Sequence, residues 1–284
     1  MLSYRHGFHA GFWADVHKHA ALALLLAHLK RKDTPFTVID PFAGDAVYDL
    51  ASPEALKTGE FRDGISRLWR RSDAPDGVAW YLAQVRALNA KPRLATYPGS
   101  PELARAALRR ADRLIAGELH PTAYAALKRW AKGDARIAVH RRDGFELISA
   151  VVPPPVPRGL VLIDPSYEVK AEYDTLAPAL ATALGKWPHG IYAVWYPILP
   201  EGRHRALLAA LARLPADGML VSELAPPAPP AAGLQGSGLA IVNPPWRFAA
   251  AMDEAGRWIA AALWAPRAGR HAMRPLAPAR AEDA

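Results

Sequence analysis

Apolar runs with strand character alternate with helical segments through most of this chain. Two such runs lie between residues 113 and 140 around a helical stretch, and GLVLI at 159–163 and IYAVW at 191–195 continue the pattern. Parallel strands need a crossover helix between them, so the alternation predicts an α/β fold with a mostly parallel sheet. The last two runs, at 218–224 and 238–242, lack a helical segment between them and therefore predict a hairpin and one reversed strand.

Seven strands with one reversed strand are typical of the Rossmann-like class I methyltransferase fold, although the alternation alone also fits a dinucleotide-binding dehydrogenase. The 284 residues are 51% hydrophobic and 22% charged, which predicts one globular domain that can accommodate an insertion. Residues from about 50 to 98 change in character to short amphipathic segments carrying Arg67, Arg70 and Arg71, and we interpret them as an inserted helical subdomain. The Arg-, Ala- and Pro-rich tail over 266–284 is expected to be frayed.

Charge and cysteine content narrow the possible chemistry. The chain carries 35 Lys and Arg against 27 Asp and Glu, a net charge of +8 that favours a polyanionic partner, nucleic acid first. It has no cysteine, which excludes disulfides, thiolate-bound zinc and a thiol nucleophile. Methylation of C5 of a pyrimidine usually needs a cysteine adduct, so it is disfavoured as well. No apolar run is long enough for a membrane span and no signal peptide is evident, which predicts a cytoplasmic protein.

Polar residues follow the first four predicted strands of the sheet. In open α/β sheets the ligand binds beyond the carboxyl ends of the strands, and here these ends lead to Gly44, Glu118, Asp143 with Gly144, and Asp164. The Gly44 turn allows the backbone to approach a nucleoside, and Glu118 is placed to accept ribose hydroxyls. An acidic residue with that role normally follows about 20 residues after the glycine turn, and the insertion explains the longer separation. The sequence lacks the G-x-G-x-x-G of a dehydrogenase.

Asp164-Pro165-Ser166-Tyr167 is similar to the (D/N)-P-P-(Y/F/W) motif of enzymes that methylate exocyclic amines. The N6 lone pair of adenine is delocalised into the ring, and two hydrogen-bond acceptors on the amino hydrogens would localise it. Asp164 can supply one acceptor and the carbonyl of Pro165 the other. Tyr167 is a candidate to stack on a base drawn out of its helix or loop.

Asn243-Pro244-Pro245-Trp246 matches the letters of that motif better but lies in the wrong place. The strand order makes the fourth strand the catalytic one, and that strand ends at Asp164. Asn243 instead ends the last strand, beyond the predicted hairpin, so we interpret its two prolines as a strand terminator.

Several segments together resemble the RlmJ family of 23S ribosomal RNA adenine-N6 methyltransferases from residue 1 to about 265. They are the opening MLSYRHGFHAGFWADVHKH, PGSP at 98–101, ELHP at 118–121, DGF at 143–145, IDPSYE at 163–168, WYP at 195–197 and VNPPW at 242–246. The resemblance implies a methyltransferase fold with a helical insertion, S-adenosylmethionine (AdoMet) as methyl donor and 23S ribosomal RNA as partner. We further expect no metal and a monomeric enzyme.

The same resemblance implies roles for individual residues. Asp164 is the catalytic acceptor, and Tyr4 and His6 belong to an N-terminal motif near the substrate adenine. The residues implied to line the AdoMet pocket are Lys18, His19, Ser100, Glu118, Asp143 and Gly144. Lys18 suits the methionine carboxylate and Glu118 the ribose.

The chain departs from the family pattern at three positions. Phe42 stands where the family usually has a histidine, Ala46 where it has a second glycine, and Ser166 where it has the second proline of the catalytic motif. Phe42 cannot make a polar contact with AdoMet, whereas both proposed acceptors survive the change at Ser166.

Two alternatives remain open from the sequence. One is a metal hydrolase, whose imidazole and carboxylate ligands would come from His6, His9, Asp15, His17 and His19. Against it, alternate residues share a face only on a strand, and this segment leads into a helix. A non-catalytic RNA-binding or assembly protein with a degenerate methyltransferase fold is the other, and loss of AdoMet binding would support it.

Overall fold

A computed structural model describes residues 5–277, which form one mixed sheet with helices on both faces. Ten strands and nine α-helices are present in that range. The strands are β1 Thr37–Asp40, β2 Val47–Asp49, β3 Thr96–Pro98, β4 Arg113–Gly117, β5 Ile137–His140, β6 Gly159–Ile163, β7 Ile191–Ile198, β8 Met219–Ala225, β9 Gly236–Val242 and β10 Arg270–Pro275. The α-helices are α1 Trp13–Lys30, α2 Pro53–Thr58, α3 Asp76–Ala87, α4 Ser100–Ala107, α5 Pro121–Trp130, α6 Gly144–Val151, α7 Ala171–Lys186, α8 Arg203–Leu211 and α9 Phe248–Trp264.

The main sheet has the strand order β10-β8-β9-β7-β6-β1-β4-β5. Neighbouring strands from β7 to β5 are parallel, and β9 runs antiparallel to both β7 and β8. The predicted α/β fold, its parallel sheet and its terminal hairpin are therefore confirmed.

The sheet has eight strands rather than the expected seven. The additional strand, β10, lies in the segment that we expected to be frayed, and it pairs antiparallel with β8 over six residues. Side chains of a short Arg- and Pro-containing run give little strand signal, whereas the open edge of β8 offers unpaired backbone groups that such a run can satisfy. Residues 278–284 of the expected tail lie outside the described residues.

Alternation along the central strands divides the core into two layers. Leu160 and Leu162 of β6 pack with α1, α9 and the insertion on one face, while Val161 and Ile163 pack with α7 and α8 on the other. Burial of both faces explains why these strands are continuous apolar runs.

The insertion is closed at its base by a small sheet. β2 and β3 pair antiparallel, bringing Val47 opposite Pro98, so the chain leaves and re-enters the main domain at one point. Between them lie α2, 3-10 turns at Glu60–Asp63 and Ile65–Arg67, and α3. Short helices therefore occupy the stretch between β2 and β3.

Two helices begin near the candidate site. α1 begins at Trp13, so the histidine-rich segment that leads into it is in large part helical and buried. α4 begins at Ser100 after an N-cap Gly99, and Pro101 is its second residue. Among residues 5–277, no helix is both long and apolar enough to cross a membrane.

Candidate active site at the carboxyl edge of the sheet

One cavity lies where the carboxyl ends of β1, β4, β5 and β6 meet the amino-terminal half of α1. It brings together residues that are far apart in the sequence, as the parallel topology predicts. The sequence-predicted residues that line it are His6, Lys18, His19, Gly44, Ser100, Glu118, Asp143, Gly144 and Asp164. Tyr4, which the resemblance places near the substrate, lies outside the described residues.

Lys18 connects the first helix to the proposed catalytic carboxylate. Its Nζ lies 2.9 Å from Oδ1 of Asp15 and donates a short hydrogen bond to Oδ2 of Asp164. Burial disfavours the ammonium, but the two carboxylates outweigh that effect and raise the pKa of Lys18 above its ordinary value. Lys18 therefore remains charged in the cavity and holds Asp164 in one orientation.

Asp15 binds several groups beside Lys18, although the sequence suggested a role for it only in a metal hydrolase. It is 4% exposed, and its Oδ2 accepts hydrogen bonds from the His6 ring at 2.9 Å and from the Gly11 amide at 3.0 Å. Burial alone would raise its pKa, but the positive charges of His6 and Lys18 hold the pKa well below its usual range. The sequence alone does not show that Asp15 is buried among hydrogen-bond donors, because those donors are brought to it by the turns of the folded chain.

His19 lines the cavity as a neutral ring. Its Nδ1 lies 2.7 Å from the Tyr97 hydroxyl, and the two rings stack with centroids 5.5 Å apart. Burial lowers the pKa of His19 to about 3. The side chain therefore offers shape and one polar edge to a ligand, and no charge.

Gly44 and Glu118 form a connected wall of the cavity. Gly44 has φ +59°, a conformation that favours glycine, and its amide donates to Oε2 of Glu118 at 2.9 Å. The His120 amide donates to Oε1 of the same carboxylate at 2.6 Å. Burial nevertheless raises the pKa of Glu118, with these backbone donors opposing the rise. Each carboxylate oxygen keeps a second lone pair for a ligand hydroxyl.

Asp143 and Gly144 begin α6 beside Phe42. Oδ1 of Asp143 caps the helix by accepting from the Phe145 and Glu146 amides. A Cβ added to Gly144 would lie 2.4 Å from the Phe42 ring, so the glycine makes room for that ring. Phe42 also lines the cavity and meets Phe145 edge to face at 5.2 Å. In place of the family's histidine, it supplies an apolar wall.

Asp40, at the end of β1, is a buried acidic residue for which the sequence suggested no role. It is 1% exposed, and neither carboxyl oxygen has a hydrogen-bond partner among residues 5–277. Burial raises its pKa to about 7, and the Ser100 side chain and the Lys18 charge only partly oppose this rise. Asp40 is not among the residues that line the cavity, so it does not contact a ligand there directly.

Tyr167 of the proposed catalytic loop is not placed for the base stacking that we expected of it. Asp164 faces the cavity and Pro165 is buried behind it, but Tyr167 is 8% exposed and does not line the cavity. Its hydroxyl donates to the Trp195 carbonyl at 2.6 Å, and its ring centroid lies 4.4 Å from that of Tyr173. Its backbone has φ +57°. In this conformation the ring supports the loop, so stacking on a base would require it to move.

The five residues of the metal alternative do not converge. His9 contacts Glu60, His17 lies between Ser222 and Ser237, and His19 contacts Tyr97. Within the described part of the chain, no group of three His, Cys, Asp or Glu side chains is placed to hold a metal ion.

The insertion arginines mostly have partners within the protein. Arg67 donates to the Leu263 carbonyl at 2.6 Å and pairs with Asp63, while Arg71 pairs with Asp73 at 2.6 Å. Arg70 lies over the Trp69 ring, 4.8 Å from its centroid. These contacts account for the cluster without RNA.

Comparisons with known proteins agree over most of the chain. A family model described as ribosomal RNA large subunit methyltransferase D, RlmJ, matches residues 33–274. A protein of Escherichia coli strain K12 named ribosomal RNA large subunit methyltransferase J is 39% identical, over 91% of this chain and 93% of that protein. A protein of the same name from Haemophilus influenzae is also 39% identical, over 89% of this chain and 91% of that protein.

A solved structure shares the whole fold. The crystal structure of protein LPL1258 from Legionella pneumophila matches with a TM-score of 0.88 at 33% identity. The match covers 94% of this chain and 98% of that one.

Proposed function

This chain belongs to the RlmJ family of ribosomal RNA large subunit methyltransferases, and on that basis we propose that it methylates the exocyclic N6 amine of an adenine in 23S ribosomal RNA with AdoMet as donor. The observation that carries the proposal is the Lys18–Asp164 ion pair. Asp164 is the first residue of the catalytic loop, and the pair lies in the cavity that Gly44 and Glu118 also line.

The residues of the cavity fit AdoMet. Glu118 suits the ribose hydroxyls, and Phe42 offers an apolar wall for the purine. An ammonium group has three donors, so Lys18 can hold Asp15, Asp164 and the methionine carboxylate together. When bound, AdoMet supplies an electrophilic methyl group on its sulfonium sulfur.

The catalytic loop supplies the acceptors for the amine. Lys18 occupies Oδ2 of Asp164, which leaves Oδ1 to accept one N6 hydrogen, and the Pro165 carbonyl accepts the other. Both hydrogen bonds draw the N6 lone pair out of the ring system and direct it at the methyl group. The nitrogen must then lose one proton, and Oδ1 of Asp164 is the group already in contact with it. No covalent enzyme intermediate is needed, in keeping with the absence of cysteine.

The test is a transfer assay with radiolabelled AdoMet on 23S RNA that lacks the modification, followed by digestion to nucleosides. We expect label in N6-methyladenosine. Asp164→Ala should lower turnover by roughly 10²- to 10⁴-fold while the protein still folds. Asp174→Ala, which removes an exposed carboxylate from α7, is the matched control and should keep full activity.

Three outcomes would contradict the proposal. Label in a C5-methylpyrimidine would refute the amine target, and near-wild-type turnover of Asp164→Ala would refute the loop assignment. RNA binding with neither label transfer nor AdoMet binding would favour the non-catalytic assembly protein.

The proposal also extends to location, assembly and domain organisation. An enzyme of ribosomal RNA acts where ribosomes are made, so we infer a cytoplasmic protein. We infer further a single methyltransferase domain with an inserted subdomain over about 50–98, acting as a monomer, and sedimentation of the purified protein tests that last point.

A further inference from the structure

The motif that was set aside as a strand terminator presents an exposed tryptophan. Trp246 is 65% exposed, the highest value among the large hydrophobic side chains of residues 5–277. It follows β9, whose last residue Val242 pairs with Tyr192 near the start of β7. Trp246 therefore lies at the edge of the sheet opposite to the active site.

The loop that carries Trp246 is held firmly at its base. Asn243 has φ +53°, and its side-chain amide donates to the carbonyls of Pro188 at 2.7 Å and Gly190 at 2.8 Å. Its amide oxygen accepts from the Asp217 amide at 3.3 Å. These bonds tie the loop to the starts of β7 and β8, so the indole projects from a fixed position.

Arg247 is difficult to explain by local stability. It is the N-cap of α9 with φ +65° and makes no side-chain capping bond. Left-handed backbone disfavours an arginine, and a cation at a helix N-terminus is opposed by the helix dipole. Its guanidinium carbon instead lies 4.1 Å from the Trp246 ring centroid. Violations of local preference of this kind concentrate at functional sites.

The end of α1 surrounds the tryptophan with positive charge. The Arg31 guanidinium lies 5.8 Å from the Trp246 centroid, and Lys30 and Lys32 are exposed on either side of it. Arg158 is bound to the same turn through the Leu29 carbonyl at 2.5 Å. Burial lowers the pKa of the nearby His28, and the charges of Arg158, Arg31 and Lys32 lower it further. Asp33 is the acidic residue in this turn.

We propose that this Trp246 patch, defined as Lys30, Arg31, Lys32, Trp246 and Arg247, binds an unpaired segment of the RNA substrate, with a base stacked on the indole and the cations on adjacent phosphates. A fixed aromatic ring among arginines is the arrangement that binds single-stranded nucleic acid. The inference rests on the proposed function, because it takes the bound polyanion to be the methylated RNA.

The position of the patch determines its effect on the reaction. Arg31 lies 13 residues beyond Lys18 along α1, or about 20 Å at 1.5 Å per residue. A short hairpin in the active site would not reach the patch, whereas a larger folded RNA would. The patch should therefore lower the KM for large RNA and leave kcat and the KM for AdoMet unchanged.

The test compares RNA binding without AdoMet by filter retention at several salt concentrations. Trp246→Ala should weaken binding of 23S RNA by about 5- to 150-fold with little change in the salt slope, and Trp246→Phe should retain most of the affinity. Arg31→Ala with Arg247→Ala should reduce the slope of log K against log salt by about 1.5. Arg205→Ala with Arg213→Ala removes the same charge from α8 and the turn that follows it, on the other face of the sheet, and is the control.

Methylation assays distinguish a failure of this inference from a failure of the proposed function. All variants should methylate a short hairpin containing the target adenine at the wild-type rate. Wild-type activity on 23S RNA with unchanged KM in Trp246→Ala would overturn the patch and leave the proposed function intact. An equal loss in the α8 control would also overturn it, by showing that net charge alone is responsible. Wild-type protein that neither binds nor methylates RNA would refute the proposed function itself.

Discussion

Gly144 and Phe42 pack closely at the first turn of α6, and each limits the side chain that the other position can hold. A Cβ on Gly144 would come within 2.4 Å of the Phe42 ring, and that ring is held in turn against Phe145. Both residues line the cavity. The sequence shows a glycine after Asp143 and a phenylalanine after Pro41, but only the fold shows that each limits the other.

Gly144→Ala should therefore displace Phe42 into the cavity. We expect an overpacking cost of about 1–3 kcal/mol in unfolding free energy and weaker AdoMet binding. Phe42→Leu with Gly144→Ala should recover much of both, because the smaller side chain relieves the contact. Calorimetric titration and urea unfolding of Gly144→Ala, Phe42→Leu and the double variant measure these effects. Additive losses in the double variant would contradict the packing argument.

His17 makes stability depend on pH. Burial, with repulsion from His271, lowers the pKa of His17 to about 3, against about 6.5 in an unfolded chain. Between these values the unfolded chain binds a proton that the folded chain does not. The stabilisation is complete above pH 6.5 and falls as the pH drops, by up to about 1.4 kcal/mol per pH unit.

His17→Gln should thus show a shallower loss of stability between pH 6.5 and 5 than wild type, despite being less stable at pH 8. The raised pKa of Asp40, about 7, acts in the opposite direction but is common to both proteins. The exposed His189→Gln is the matched control. Urea unfolding at several pH values decides the matter, and parallel curves for His17→Gln and wild type would refute it.

At the scale of elements, β10 closes the sheet. It pairs with β8 from Arg270 opposite Ala225 to Pro275 opposite Leu220. The His271 side chain is buried, and its Nε2 lies 2.9 Å from the Ser222 hydroxyl, which also contacts His17. The strand thus completes a polar network and covers the edge of β8.

Deletion of residues 270–284 should destabilise the protein by roughly 2–4 kcal/mol and promote aggregation through the exposed edge of β8. Hydrogen exchange in β8 should accelerate more than exchange in β6. Deletion of only 278–284 leaves β10 in place and is the control. Equal stability of the two truncated proteins would show that β10 contributes nothing.

The elements that could be predicted are those whose pattern is set by burial. Apolar runs such as GLVLI at 159–163 identified the central strands. β10 could not be predicted, because its residues follow the pairing requirement of β8 rather than a hydrophobic pattern of their own. The buried start of α1 was missed for a related reason, since its histidines and lysine are buried through specific partners such as Ser222 and Asp164.

At the scale of the molecule, the insertion and the methyltransferase core share one hydrophobic layer. Ile65 and Leu82 of the insertion belong to the same buried cluster as Leu25 of α1 and Ile259 of α9. The packing of these segments depends on contacts between residues distant in the sequence, which no local pattern encodes. The candidate site is similar: strand ends could be located in advance, whereas Asp15 and Asp40 acquire significance only from their neighbours.

Because residues from His6 to Asp164 line one cavity, AdoMet should stabilise the whole molecule. A ligand that binds only the folded state at 100 times its Kd adds about 2.7 kcal/mol, which we expect to raise the melting temperature by roughly 5 °C. Glu118→Ala removes a charged hydrogen-bonding group, so Kd should rise about tenfold to a hundredfold and the shift at the same AdoMet concentration should fall to half or less. Asp174→Ala should keep the full shift. Scanning calorimetry with and without AdoMet measures these effects, and an undiminished shift in Glu118→Ala would mean that Glu118 does not contact the ligand.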